Sequence, residues 1–289
     1  MRIDLQFHST YSDGQLTPTA VANFAYSKKI AVAALTDHNS VAGIEEFRAA
    51  CLKRGIKPVV GLELYVRLGH RKFNLLWYNF NEAHPELHAL LRETQIRRRA
   101  NVRRILNNGI HQRGIELNVE KMLDKHNHYV PINGIIYAMR KSKKNRQIFK
   151  EDIGIENPRE EEIMFEYLKN KKYGILNESY LDIKRVVELR GKIGGQLVIN
   201  HPGKSSHLTK DQFARLKKMG IDGVEVLSPH HSLGAVMYYQ HIAKEFDFLE
   251  TGGSDFHIFE GGHSRIQHSW DYFKIDSKFL KKIEKIIGK

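Results

Sequence analysis

Carboxylates and imidazoles recur in this chain at the ends of apolar runs. Gln6-Phe7-His8 stands five residues before Asp13, and Thr36-Asp37-His38 and Gly61-Leu62-Glu63 each close a run. Asn200-His201-Pro202-Gly203 and Gly253-Ser254-Asp255-Phe256-His257 do the same late in the chain. His and carboxylate side chains together form a ligand set for divalent ions. A barrel brings strand ends from distant sequence into one mouth. The chemistry first expected is therefore that of a metal site.

Each phrase also has a plainer reading. His8 and Asp13 flank the end of the first strand, where a turn of Ser-Asp-Gly type would equally suit a loop or a helix cap. Asp37 and His38 follow Ile-Ala-Val-Ala-Ala-Leu, which buries its middle and leaves a polar end at a rim or a surface turn. Glu63 is enclosed by apolar neighbours, so it needs a partner, and one Glu can bridge two cations. Asp255 and His257 alternate along what reads as an extended segment, with both side chains on one side, and Gly252-Gly253 before them permits close backbone approach. His201 precedes Pro202 and is held extended. By contrast, His84, His88, His111, His126, His128, His207, His241, His263 and His268 read as ordinary surface or core histidines.

Strand-like runs at Ile3 to Phe7, Ile30 to Leu35, Pro58 to Leu64 and Phe73 to Tyr78 must carry these groups, alternating with helices Pro18 to Lys28 and Ile44 to Arg54. The same texture returns after Tyr180. Helices are expected at Ile183 to Arg190, Asp211 to Met219 and Gly234 to Phe246, and strands at Gln196 to Asn200, Gly223 to Leu227 and Phe248 to Thr251. Strand-helix alternation predicts parallel β/α units. Residues 1–80 and 180–289 thus read as two parts of one barrel. Residues 81–179 read as a basic helical insertion, with a candidate helix from Pro85 to Gln112 and a very polar stretch from Lys141 to Glu162.

At 289 residues the chain can bury a large core. Its one cysteine, Cys51, excludes a disulfide framework and any Cys-rich zinc module, and fits a reducing compartment. With no apolar stretch of about 18 residues and no signal-like start, the expected location is cytoplasmic, with no membrane partner. The net charge is +13, and Arg92 to Lys150 holds 15 Lys/Arg against Glu93, Glu116, Glu120 and Asp124. Such a field suits a polyanion, with Arg97, Arg98, Arg99, Arg103 and Arg104 as candidate nucleic-acid contacts. Solvated arginines on an insertion are the alternative, since aromatic platforms for bases are sparse there.

The ordered phrases Gln-Phe-His-x4-Asp-Gly, Thr-Asp-His-Asn, Gly-x-Glu, His-Pro-Gly and Gly-Ser-Asp-Phe-His resemble the polymerase-and-histidinol-phosphatase (PHP) family of metal-dependent phosphoesterases. Within it they resemble the branch of nucleoside-monophosphate-type phosphatases and 5′→3′ exoribonucleases. The resemblance covers most of the chain. It implies an α/β fold, a distorted seven-stranded β/α barrel of PHP type with a helical insertion, and up to three metal ions at the carboxyl ends of its strands.

Carried over residue by residue, the resemblance implies one ion at Asp13, His38 and His257, and a second at Gln6, His8, Glu63 and Asp255. A third would need Glu63 with the residues at Asn74 and Gly134. Three family histidines are replaced, by Gln6, Asn74 and Gly134, so one or two ions are expected, as Mn²⁺, Zn²⁺ or Fe²⁺. Asp37, Gln6 and Asn74 would be weak ligands or supports. His201 and Asp255 would be catalytic, and Lys204 and His231 would contact phosphate. The expected function is hydrolysis of a phosphate ester of a nucleotide or a 5′ nucleic-acid end. The alternative is a degenerate pseudoenzyme that binds nucleic acid or protein.

Overall fold

The computed structural model describes residues 1–172, 174–205, 207–257 and 273–288, which form two compact units, Met1–Leu90 with Tyr180–Lys289, and Leu91–Ser179. The first crossing falls inside a helix, later than the expected 80/81 boundary. His263 and His268 lie outside the described residues.

The first unit is a curled mixed sheet of β1 (Arg2–Phe7), β2 (Val32–Leu35), β3 (Lys57–Leu68), β4 (Arg71–Tyr78), β5 (Leu181–Asp182), β6 (Gln196–Ile199), β7 (Gly223–Leu227), β8 (Leu249–Gly252) and β9 (Ile275–Asp276). The strand order is β8-β7-β6-β4-β3-β2-β1-β9, with β5 paired to β3. Past β8 the chain returns to β1: Phe7 and Phe256 form a parallel bridge, and the His8 amide donates to the Phe256 carbonyl at 2.9 Å. A Cβ on Gly253 would lie 2.4 Å from that of Gln6, so a glycine is what lets this edge approach. The sheet is thereby nearly closed as a barrel. Ile3, Val32, Ala34, Val59, Leu76, Tyr78, Val198 and Leu249 meet in one apolar cluster drawn from six of its strands.

Helices α1 (Pro18–Ser27) and α2 (Ile44–Lys53) bury Val21, Ala22, Ala25, Phe47 and Cys51 against β1 and β2. Burial pushes the Cys51 thiol up to about 12, so it is a core group and not a nucleophile.

The expectation of parallel units is corrected at β4, which is antiparallel to both β3 and β6, and at β9, which is antiparallel to β1. β3 runs on to Leu68 and turns through Gly69-His70 straight into an antiparallel β4, with Gly69 at φ +60°. Periodicity reports which face is buried but not strand direction, and a two-residue turn leaves no room for a crossover helix.

The second unit continues α3 (Pro85–Ile105), and adds α4 (Val119–Lys125), α5 (Ile132–Arg140), α6 (Lys143–Ile153) and α7 (Glu160–Ile163). α3 passes into a wider π turn at Leu106–Ile110 and a 3-10 turn at His111–Arg113, ended by left-handed Gly114. α6 is capped by Ser142, whose side chain accepts from the Asn145 amide, and stopped by Gly154 at φ +81°. The unit has its own core, including Leu106, Ile110, Leu123, Ile136, Phe149 and Tyr167. The first unit's helices α8 (Ile183–Ile193), α9 (Pro202–Ser205), α10 (Lys210–Lys218) and α11 (Leu233–Glu245) connect the later strands. No helix among the described residues is long and apolar enough to cross a membrane.

Candidate metal centre

Gln6 and His8, two residues apart at the end of β1, both reach the carboxylates of β3 and of the segment after β8. His8 Nε2 lies 3.1 Å from Glu63 Oε2 and 3.2 Å from Asp255 Oδ1. Its other nitrogen lies 3.6 Å from Asp13, to which His257 Nε2 comes within 3.2 Å and His38 Nε2 within 3.5 Å. His8, Asp13, His38 and His257 each offer a ligand atom, and these lie within 4.8 Å of one another. His8, Glu63 and Asp255 form a second such group.

The electrostatics are those of closely coupled imidazoles and carboxylates, which raise His8 and His257 and lower the acids. Burial opposes the charge on Asp13, yet the imidazoles of His257, His38 and His8 hold its carboxyl well below the usual range. Glu63 is also held low against burial, by His38, His201 and His8, and Asp255 by Lys204, His257 and His230. Burial lowers His38, which keeps its imidazole neutral and able to give a lone pair.

A divalent ion fits this donor set. His8 is fully buried and neither ring nitrogen has a hydrogen-bond partner, an arrangement that a cation shared with adjacent carboxylates would satisfy. Behind it, Asp37 accepts from the Ser9 amide and hydroxyl, each at 2.7 Å, and from the Ser12 hydroxyl. Its oxygens thus brace the loop that carries Asp13.

The Glu63 and Asp255 oxygens already receive N–H donors. Gln6 Nε2 donates to Glu63 Oε2 at 3.1 Å and to Asp255 Oδ1 at 2.9 Å, and Asn74 Nδ2 donates to Glu63 Oε1. Lys204 Nζ and His230 Nε2 each lie 2.7 Å from Asp255 Oδ2. His201 Nε2 stands 3.5 Å from Glu63 and 3.9 Å from Asp255.

Several sequence expectations need correction. Asp255 is not extended: its φ is +53°, and the His257 ring turns back so that Nδ1 meets the Asp255 carbonyl at 2.6 Å. Asp255 therefore faces Lys204 while His257 faces Asp13. His231, expected at phosphate, has both nitrogens engaged: Nε2 accepts the Gly203 amide at 3.2 Å and Nδ1 lies 2.9 Å from the Val226 carbonyl. Its neighbour His230 is the one that reaches the mouth.

Glu225 was also missed. It is fully buried on β7, and one oxygen accepts the His201 amide at 3.0 Å. Burial and the nearby Asp255 charge raise its carboxyl far above the ordinary value, so it is a neutral acid bracing His201. Gly134 belongs to the second unit, where a Cβ would lie 3.0 Å from the Pro131 ring and 3.1 Å from His126 Nε2.

The basic cluster is largely occupied within its own unit. Arg98, expected at a nucleic-acid surface, is only 3% exposed and bonds the Val130 and Asn177 carbonyls, with Glu178 at 3.1 Å. Arg97 pairs with Glu93, Arg99 donates to the Leu123 carbonyl, Arg103 grips Glu120 with two bonds of 2.7 Å, and Arg104 donates to Asn101. Helix carboxylates and carbonyls use the positive charge that composition alone assigned to a partner.

The barrel mouth gathers His8, His38, His257, Asp13, Glu63 and Asp255, with Lys204 at its edge, a donor set suited to metal-dependent phosphohydrolysis. Residues 4–133 match the PHP domain. The chain is 27% identical to a 5′-3′ exoribonuclease of Haemophilus influenzae over 89% of this chain and 90% of that protein. It is also 27% identical to a 3′,5′-nucleoside bisphosphate phosphatase of Chromobacterium violaceum, over 98% and 96%. A sulfate-bound, metal-free amidohydrolase structure from Chromobacterium violaceum superposes with TM-score 0.72 at 26% identity, covering 89% of this chain and 88% of that one.

Proposed function

We propose that this protein releases phosphate from a nucleotide or from the 5′ end of a nucleic acid, with one divalent ion held tightly by Asp13, His38, His257 and His8. The observation that carries the reading is the convergence of those four side chains on one point in a buried mouth. A bound ion there would supply a Lewis acid that lowers the pKa of water and offsets charge building on phosphorus.

The chain's own residues do the rest. His201 holds a proton at Nε2 for the leaving oxygen, and the Glu225 acid fixes its backbone. Lys204 and His230, converged on one oxygen of Asp255, are placed to transfer their N–H bonds to a phosphate dianion. Gln6 and Asn74 provide donors to the second set of carboxylates where lone pairs would favour an ion. A second ion therefore binds more weakly, since it requires the Gln6 amide to turn its buried, unpartnered Oε1 inward.

Both close relatives in sequence are named for phosphate-ester cleavage on nucleotides or RNA, which favours catalysis over a pure binding role. The test is inorganic phosphate release from nucleoside monophosphates, nucleoside 3′,5′-bisphosphates and 5′-phosphorylated oligoribonucleotides with Mn²⁺ supplied. Turnover of at least one class is expected. No release from any, with metal bound, would leave the binding-protein reading in place.

A further inference from the structure

The β3–β4 hairpin carries a row of side chains outward from the metal centre. Glu63, Tyr65 and Arg67 alternate along β3 and so share a face. Across the antiparallel register Tyr65 lies opposite Asn74 and Arg67 opposite Lys72. The Tyr65 ring stacks on His38, with centroids 4.6 Å apart and 20° between planes. Tyr180, just before β5, meets Tyr65 edge-on at 5.8 Å, and the Lys72 ammonium sits 4.8 Å from the Tyr180 ring centre. Both tyrosines are half-buried, and Lys72 and Arg67 are exposed.

We infer that Tyr180, set edge-on against Tyr65, forms a stacking shelf for the base of a nucleotide whose phosphate lies at the metal centre. The shelf rests on the nucleotide reading above and gives it a specificity element. Base faces stack on aromatic rings with little regard to sequence, and cations beside the rings suit the phosphates of the same ligand. Tyr65 reaches the centre through His38, so a base on this shelf belongs to the nucleoside being dephosphorylated. The Lys72 ammonium beside the Tyr180 ring must turn aside for the incoming base. A sugar phosphate without a base leaves the shelf unused.

The experiment compares two probes by calorimetry on the Mn²⁺-loaded protein: the non-hydrolysable phosphonate analogues of adenosine monophosphate and of ribose 5-phosphate. Stacking worth about 1–3 kcal/mol predicts tighter binding of the nucleotide by about 5- to 150-fold. Tyr180→Ala should collapse that ratio to about 2-fold or less, and Tyr180→Phe should keep it. Equal affinities in the unaltered protein, or a ratio unmoved by Tyr180→Ala, would overturn the shelf. Because the readout is binding, a protein that discriminates between the probes yet releases no phosphate would retain the shelf and lose the catalytic reading.

Discussion

The Gln6 amide donates to the Glu63 carboxylate over 3.1 Å, across 57 positions of sequence, in the fully buried floor of the mouth. Replacing this donor with a lone-pair donor changes what the two neighbouring carboxylates can hold. Gln6→His should raise tightly bound metal from one ion per chain to two, since imidazole is a far better ligand than a neutral amide oxygen. Elemental analysis after equilibrium dialysis reads this directly, and a count that stays at one would show that Glu63 and Asp255 are not a second site.

The first ion depends on a different set. His257→Ala removes one of three imidazoles around Asp13 and should weaken metal binding by at least about 100-fold, with turnover falling in step. The residue lies outside the regular strands, after β8, so far-UV circular dichroism should not change. Full activity with a weakened ion would disconnect the metal from the chemistry.

The arginines separate by burial. Arg98→Met breaks bonds to two carbonyls and Glu178 inside the second unit and should cost about 3 kcal/mol or more in urea unfolding. Arg103→Gln removes an exposed pair with Glu120 and should leave the unfolding midpoint almost unmoved. Comparable losses would mean that Arg98 is not the buried anchor described.

Asp4 gives a pH dependence of defined sign. Burial, opposed by bonds from the Ser254 and Gln6 amides, raises its carboxyl from 3.8 to about 7. A raised folded value means that this group's contribution is complete below about pH 4 and is lost as pH climbs through 7. Asp4→Asn keeps an acceptor for both amides without the charge. It should stabilise the protein at pH 8.5 by up to about 4 kcal/mol and by much less at pH 5. Thermal melts at the two pH values test this, and an equal shift at both would contradict it.

Much of the scaffold was legible because apolar runs and their polar ends are local signals. β7 occupies Gly223–Leu227 as its pattern predicted, and the strand-end residues His8, His38, Glu63 and Asp255 do meet. What was not legible depends on three-dimensional neighbours. Residue types alone could not show that β4 turns back on β3, that Asp255 takes a left-handed backbone, or that His230 and not His231 faces the mouth. Within the arginine-rich stretch the burial of Arg98 was not legible for the same reason: the net charge was visible, but the carbonyls that bind Arg98 and Arg99 were not.

The most direct measurement of the whole account is phosphate release by metal-stripped protein as Mn²⁺ is returned in known equivalents, with the best substrate of the nucleotide panel. No release is expected in chelator, and the rise should be largely complete near one equivalent per chain. Release that persists in chelator, or that stays absent at every metal level, would contradict this expectation.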